Sequence, residues 1–398
     1  MSEIIIAVCR DYEPANVDDA FDKIFSVLDT SGIFTAGEKI LLKPNMLSAK
    51  NAELAVTTHP QIVRAAAVQL RKLDLVLSYG DSPAVDSPEK AARVCGIREV
   101  MDELGIPMAN FSDSFTRDYP GGTMTRRFQF VKAVMDNDGI VNVCKFKTHA
   151  LTRITGALKN LFGLIPGVVK AKDHVRFPDE LRFTAMLADM NRVLPSRLHI
   201  MDAVVGMEGN GPSGGTPRHI GHIMASRDPV ALDSFCAAMM GISYKGIPVI
   251  TASENAGLGT AGLASTDIVY FAGNGAGPVR EKADVIIEQF RLKDFVNPVD
   301  GHAAINLLST GLGTFLKRAV IKRPVVMADK CTKCRMCVKV CPLDTKAIRF
   351  SDKKDRIEYD YAKCIRCFCC QELCPRGAIE VKEAPLGFLI KAPHERKR

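Results

Sequence analysis

Eight cysteines in two copies of one spacing constrain this chain more than any other feature. Cys331, Cys334 and Cys337 are each separated by two residues, and Cys341 follows after three more, just before Pro342. The pattern recurs at Cys364, Cys367, Cys370 and Cys374, ahead of Pro375, with every cysteine displaced by 33 positions. Thiolate sulfur is soft and suits iron–sulfur clusters. Three cysteines at this interval let one loop wrap three corners of a cubane, and the fourth follows on a short helix. Zinc also takes C-x2-C pairs, but it does not require two full copies that each end in Cys-Pro.

In this arrangement the fourth cysteine of each copy reaches across to the other cluster. Cys331, Cys334, Cys337 and Cys374 are expected to hold one [4Fe-4S] cluster, and Cys364, Cys367, Cys370 and Cys341 the second. The segment resembles the bacterial-type two-cluster ferredoxin over about 55–60 residues, with all eight motif cysteines present. Between the copies, IRFSDKKDRIEYD reads as two short strands around a polar turn. Cys369, inside CFCC, breaks no spacing and reads as a spare thiol facing away from the cluster.

Nine of the thirteen cysteines lie between 331 and 374. That is a metal spacing and not a disulfide framework, which points to a reducing compartment. Cys9, Cys95, Cys144 and Cys236 read as small buried apolar residues. The formal net charge is +8. Each oxidised cluster with four thiolates adds about −2, so two clusters leave only about +4. No basic stripe interleaved with aromatics accompanies it, so nucleic acid is not the expected partner. No apolar run approaches the roughly 18 residues of a membrane helix, and MSEIIIAVCRDYE lacks the features of a signal peptide. A cytoplasmic protein without a transmembrane segment is expected.

The 398 residues allow two or three domains at roughly 100–200 residues each. Residues 1–300 read as one α/β domain, a mixed and mostly parallel sheet with helices on both faces. Strands are expected at IIIAV (4–8), KILLKP (39–44), LVLSYG (75–80), GIVNVCKF (139–146), RLHIMDAVVG (197–206), HIGHIMAS (219–226), KGIPVI (245–250) and DIVYFAG (267–273). Helices are expected over 60–72, opened by Pro60, and over about 87–104. Residues 301–325 read as a helical linker ended by Pro324, 326–384 as a small α+β domain holding two clusters, and 385–398 as a basic tail. The 326–384 segment has 13 Lys+Arg and 9 Asp+Glu, so two clusters bring it to about zero, which fits a wire serving its own chain.

Three groups of residues in the large domain suggest a site. KFKTHALTRITGALKNLFG (145–163) follows a strand and carries Lys145, Lys147, His149, Lys159 and Asn160. Open α/β sheets bind ligands at the carboxyl ends of their strands, and converging cations and amides there suit a phosphate or carboxylate. DAVVGMEGNGPSGGTP (202–217) contains a formal G-x-G-x-x-G, but Pro212, Gly215 and Pro217 argue against the helix that a dinucleotide site needs. It reads as a Gly-rich loop shaping a pocket, with Asp202 and Glu208 as candidate acids. Asp228 reads as the cap of a helix opened by Pro229. Lys43 and Asn45 in LLKPN, with Asp81 in YGDSP, are expected to face the same crevice. His59 reads as a local cap, and His174 as a loop histidine able to serve as acid or base.

These motifs, LLKPN, GDS, KFKTHALTRITGALKNLFG, DAVVGMEGNGPSGG and SRDPVALD, resemble the uncharacterised family called domain of unknown function 362. The likeness spans about 36–240 in motifs and 1–300 as a fold. Members often carry a two-cluster ferredoxin module at one end. The resemblance implies that fusion but imports little chemistry. His149, Gly156, Lys159 and Pro166–Gly167 are also faintly similar to a pattern of nickel-pincer lactate racemases, from which no role is carried over.

The expected function is iron–sulfur electron transfer. As an oxidoreductase or reductase component, the chain would pass electrons from its clusters to a substrate or second, unidentified cofactor in the large domain. His149, Lys159, Asp81, Asp202 and Glu208 are the candidate catalytic residues. Lys43, Asn45, Lys145, Lys147 and Asn160 are the candidate binding residues for an anionic small molecule. The alternative is a carrier whose large domain, through its basic residues 145–159, docks a redox partner protein without catalysis.

Overall fold

A computed structural model describes residues 2–273, 277–298 and 321–383. The large domain is built on nine strands. They are β1 (Ser2–Val8), β2 (Lys39–Pro44), β3 (Val76–Tyr79), then β6 (Gly139–His149) with the short β7 (Arg153–Ile154), β8 (Ser196–Glu208), β9 (Thr216–Ser226), β10 (Thr266–Phe271) and β11 (Val279–Lys282). A separate hairpin joins β4 (Ser114–Asp118) to β5 (Arg127–Val131). The main sheet runs β11-β10-β1-β9-β8-β6-β2-β3, with β7 attached to β6. The block β8-β6-β2-β3 is parallel and so is β1-β10. β9 is antiparallel to both of its neighbours and β11 to β10, so the sheet is mixed.

Strand alternation sends side chains to two cores. Ile4 and Ile6 enter one, Ile5 and Ala7 the other. Helices α1 (Pro14–Val27), α2 (Pro60–Arg71), α3 (Pro88–Val94) and α4 (Ile97–Glu103) cover the second core. The first is covered by α5 (Gly156–Asn160), α7 (Glu180–Val193), α8 (Pro229–Met239), α9 (Pro248–Asn255) and α10 (Ala283–Phe290), with α6 (Gly167–Arg176) at its edge. The helix starts follow local chemistry. His59 accepts from Gln61 N at 3.3 Å ahead of Pro60, and Asp228 accepts from Val230 N and Ala231 N at 2.8 and 2.9 Å ahead of Pro229.

Two elements differ from the sequence reading, and a third, HIGHIMAS, is the expected strand with a direction the sequence left open. KGIPVI is not a strand. Pro248 occupies a first helical turn, and Val249, Ile250 and Ser253 face the core from α9. The helix expected over 87–104 is broken at Gly96, whose φ of +80° suits glycine. HIGHIMAS returns antiparallel to β8, because the Gly-rich segment after Glu208 turns the chain tightly enough for a hairpin.

In the cysteine module, β12 (Arg323–Val326) pairs with β15 (Ile379–Lys382), and β13 (Ile348–Ser351) with β14 (Arg356–Tyr359). Residues 323–325 are therefore strand, not the end of a linker helix. The rest of the expected linker up to residue 320, and the expected tail 385–398, lie outside the described residues. The repeat is conformational as well. Lys333 and Arg335 have φ of +57° and +62°, and their counterparts Arg366 and Phe368 have +62° and +61°.

The second copy is pressed against the large domain. Gln371 Nε2 donates to Asn210 O, Asn210 Oδ1 and Gly211 O at 2.8, 3.0 and 3.1 Å, and Asn210 Nδ2 donates to Ile379 O at 2.9 Å. Ser213 donates to the Glu372 carbonyl, and Lys322 Nζ to Ala150 O at 2.5 Å. Phe368 is buried in the large domain's core, a burial that stabilises by about 1.5–3 kcal/mol for a side chain of this size. Lys333, Cys334 and Arg335 of the first copy are exposed, whereas Arg366, Phe368 and Cys369 of the second are buried.

Candidate functional site

β6 is buried along its whole length. Val141 and Val143 enter one core and Cys144 and Phe146 the other, which brings Lys145 and Lys147 to the carboxyl end of the parallel block. β2 runs beside it and ends in Lys43 and Pro44, followed by Asn45. Five lysines are buried here and at the module boundary: Lys43, Lys145, Lys147, Lys159 and Lys322. A buried ammonium needs a partner, and each lysine meets that need differently.

Lys43 Nζ pairs with Asp81 Oδ1 at 2.8 Å. Burial lowers the lysine's pKa and the Asp81 carboxylate opposes that shift. Asp81 also accepts from Met46 N at 2.7 Å and Ser82 N at 2.9 Å. Gly163 closes over the pair. A β-carbon there would fall 1.8 Å from Asp81 Oδ1 and 2.6 Å from Lys43 Nζ, so the close approach requires glycine.

An amide chain continues the network. Asn160 Oδ1 accepts from Lys43 Nζ at 3.2 Å and from Asn45 Nδ2 at 2.7 Å, while Asn160 Nδ2 donates to Asn142 Oδ1 at 2.7 Å. Asn45 Oδ1 in turn accepts from Lys147 Nζ at 2.9 Å, and Val56 O accepts from the same ammonium at 2.6 Å. Lys147 has no carboxylate in ion-pair reach among the described residues. Burial, and then the charge of Lys159, hold its pKa well below the ordinary lysine value.

Lys145 belongs to a separate, closed network. Its Nζ donates to Asp202 Oδ2 at 2.7 Å and to Tyr12 OH at 2.9 Å, and Tyr12 OH donates to Asp202 Oδ1 at 2.8 Å. His59 N completes Asp202 at 2.9 Å, and its ring stacks on Tyr12 at 3.6 Å. The ion pair is inaccessible on both sides, so Asp202 braces the domain. Glu208 Oε2 accepts from Val296 N at 3.1 Å.

A cavity of about 560 Å³ opens between the large domain and the cysteine module. Asn45, Asp81, Lys147, Thr155, Lys159 and Asn160 contribute to its large-domain wall. The facing wall includes Cys341, Cys369 and Glu372 of the module. Of the sequence candidates, Lys43 stands behind this wall, whereas Lys145, His149, Asp202 and Glu208 do not line it.

His149 lies just behind. Its Nδ1 accepts from Leu151 N and Thr152 N at 3.0 and 3.3 Å, so the proton sits on Nε2. Burial, then Lys159 and Lys147, push its pKa well down. The 3.8 Å approach of Nε2 to Glu372 Oε2 is therefore between a neutral imidazole and a carboxylate. His174 does line the cavity, stacked on Phe183 at 4.7 Å and pushed down to about 4 by burial.

Sequence reasoning missed Lys170 on the large-domain wall, and Lys339, Lys346 and Glu372 on the module wall. Nothing in a linear spacing joins residues so far apart. The available signal was Lys170, in PGVVKAKDH immediately after the KNLFG motif.

Four of the motif thiols gather round one space. Cys331, Cys334, Cys337 and Cys374 all border one small cavity, which mixes the two sequence copies. Ala378 N donates to Cys374 Sγ at 3.2 Å, and Tyr359 OH donates to Cys370 Sγ at 3.3 Å. Among the described residues no three His, Cys, Asp or Glu converge as around a single metal ion. Thiols spread around a cavity suit a multi-iron cluster. Cys369, expected as a spare thiol, is buried and lines the interdomain cavity.

The model of a domain of unknown function, DUF362, matches residues 40–238, half of the chain. The chain belongs to the DUF362 family. A 4Fe-4S dicluster domain matches residues 323–375 of this DUF362 protein, so its C-terminal part is an iron–sulfur domain of the ferredoxin kind. The thylakoid-associated protein sll1697 of Synechocystis is 29% identical over 301 residues, covering 73% of this chain and 88% of that protein. NADH-quinone oxidoreductase subunit I of Pelobacter propionicus is 39% identical over 68 residues, 15% of this chain and 37% of that protein. The archaeal-type glutamate synthase [NADPH] of Dehalococcoides mccartyi is 32% identical over 60 residues, 15% of this chain and 12% of that protein. No helix among the described residues is long and apolar enough to cross a membrane.

Proposed function

We propose that this DUF362 protein is an oxidoreductase component that passes electrons from two [4Fe-4S] clusters to an anionic small molecule in the interdomain cavity. The carrying observation is that one cavity has Lys147, Lys159 and Asn160 on one wall and Cys341 on the other. In this reading Cys331, Cys334, Cys337 and Cys374 hold the first cluster, and Cys364, Cys367, Cys370 and Cys341 the second, nearer one. When bound, each cluster supplies one electron at a time. A two-electron reduction would draw one electron from each, with two protons from solvent or side chains, and an external one-electron carrier would refill them.

The large domain's part is to bind and orient. Lys147 and Lys159 attract the anion, and the Asn45–Asn160–Asn142 chain fixes their surroundings. Asp81 keeps Lys43 charged at the cavity's back, and His149 positions the loop that follows β6. Asp202 and Glu208 lie outside this reading. Nine cysteines crowded into residues 331–374 at a metal spacing fit a reducing, cytoplasmic setting. The carrier alternative needs an exposed basic patch at 145–159, and its Lys145, Lys147 and Lys159 are buried.

The test is to reduce the full chain anaerobically with dithionite, desalt it, and add the anionic fraction of a cell metabolite extract. Cluster absorbance should return as the clusters reoxidise. Lys159→Ala should keep both clusters and lose most of that rate. Equal rates in both proteins would remove the cavity from the electron path.

A further inference from the structure

The cavity's chemistry narrows its ligand, on the reading that this cavity is the reaction site. Its lining holds six lysines, Lys147, Lys159, Lys170, Lys172, Lys339 and Lys346, and no arginine. It holds three carboxylates, Asp81, Asp344 and Glu372, and Asp81 is already paired with Lys43 behind the wall. Arginine presents a planar fork that matches a carboxylate, whereas lysine ammoniums act as point charges that can approach from any side. Lys147, Lys159 and Lys170 come from β6, α5 and α6, three elements that reach the cavity separately.

Donor accounting points the same way. An ammonium has three N–H groups. Lys147 spends two, on Asn45 Oδ1 and Val56 O. Lys170 spends one on the Ser82 carbonyl. Lys159 makes no hydrogen bond or ion pair among the described residues, and its Nζ sits 5.8 Å from the centre of the Phe162 ring. Thr155 Oγ1, on a side chain only 3% exposed, has no hydrogen-bond partner and also borders the cavity. Buried donors in this number, left without acceptors, call for a ligand that brings several oxygens at once. The lining also includes the apolar Leu47, Val85, Phe162, Val340 and Leu373, the last two on the Cys341 side of the chain, alongside Asn45, Ser82, Asn160 and His174.

We propose that the cavity binds a phosphate ester with an apolar, ring-sized body, its dianionic head between Lys147, Lys159, Lys170 and Thr155 and its body toward Cys341. Its three terminal oxygens, splayed tetrahedrally about phosphorus, accept from donors on several sides, and two negative charges offset the unpaired ammoniums. The cavity volume lies within the ~300–1,000 Å³ range of small-molecule sites.

The experiment is anaerobic calorimetry on the full, cluster-loaded chain, with phenyl phosphate, inorganic phosphate, benzoate and succinate as probes. Phenyl phosphate should bind at least tenfold more tightly than benzoate or succinate, and more tightly than inorganic phosphate. Lys159→Gln and the half-buried Lys170→Gln should each weaken phenyl phosphate tenfold or more, with cluster absorbance and circular dichroism unchanged. Phenyl phosphate should also alter the low-temperature EPR line shape of the reduced chain, since it lies against Cys341. Benzoate or succinate binding as tightly as phenyl phosphate, or unchanged affinity in K170Q, overturns the proposal. Tight phenyl phosphate binding in a chain that no metabolite fraction reoxidises leaves the phosphate site standing and removes the electron-transfer reading. Reoxidation only by compounds lacking phosphate does the reverse.

Discussion

At the scale of single residues, lysine protonation decides what the cavity can hold. Lys170 is pushed down to about 8, chiefly by burial, with Lys43 and Lys159 pushing the same way and Asp81 and Glu372 opposing them. A lysine with a lowered pKa sheds its proton inside the working range, and an anion bound beside it favours the charged form. Binding therefore takes up a proton once the pH exceeds about 8. The affinity of phenyl phosphate should fall as pH rises from 8 to 9, by up to about tenfold per unit for one such group, since the ester's own second pKa near 6 leaves it dianionic throughout. Calorimetry in buffers of different ionisation enthalpy reads the proton directly, and a flat profile over that range would mean Lys170 does not meet the anion. Residue identity alone brought Lys43, Asn45, Asp81, Lys147, Lys159 and Asn160 to notice, because cations and amides were dense after strand-like runs. It could not tell Lys145 from Lys147. They sit two positions apart on one strand, and only the tertiary neighbours, Asp202 and Tyr12 for one and Asn45 for the other, separate brace from binder.

At the scale of elements, the strands with continuous apolar runs were readable, and so were helices announced by Pro60 and Pro229. KGIPVI was not, since a short apolar run suits either state and Pro248 decided for a helix. The cysteine repeat was the most legible element, because cluster geometry tolerates little variation in spacing. Its crossed pattern gives a sharp expectation. Cys341→Ser, though it lies in the first motif, should lose the second cluster. Cys374→Ser should lose the first. Cys369→Ser should keep both, since Cys369 stands outside the repeated spacing. Iron analysis and EPR of each purified variant check this. Loss of the first cluster in Cys341→Ser would mean that each motif closes on itself.

At the scale of the whole molecule, the cavity exists because two domains meet, and no local pattern announces such a meeting. Gln371 is the hinge pin of that contact, its amide donating to two acceptors on Asn210 and one on Gly211. Gln371→Ala leaves buried acceptors on the Asn210–Gly211 turn without a donor, at a cost of about 1–3 kcal/mol. Hydrogen exchange across 209–215 should quicken, and phenyl phosphate should bind more weakly while both clusters stay loaded. Unaltered exchange there would show that the interface is held elsewhere, by Phe368 and Lys322.

The same docking makes the two copies of one motif unequal. Their loops share backbone conformation, yet Cys334 is exposed while the large domain shelters Phe368 and Cys369 in the other copy. Corrosion by dissolved oxygen should therefore be sequential, beginning at the outer loop and reaching the inner one late. A chain caught in air would pass through a half-decayed form that still keeps its inner thiols and its lysine-lined chamber intact, and that has lost only its contact with the outside.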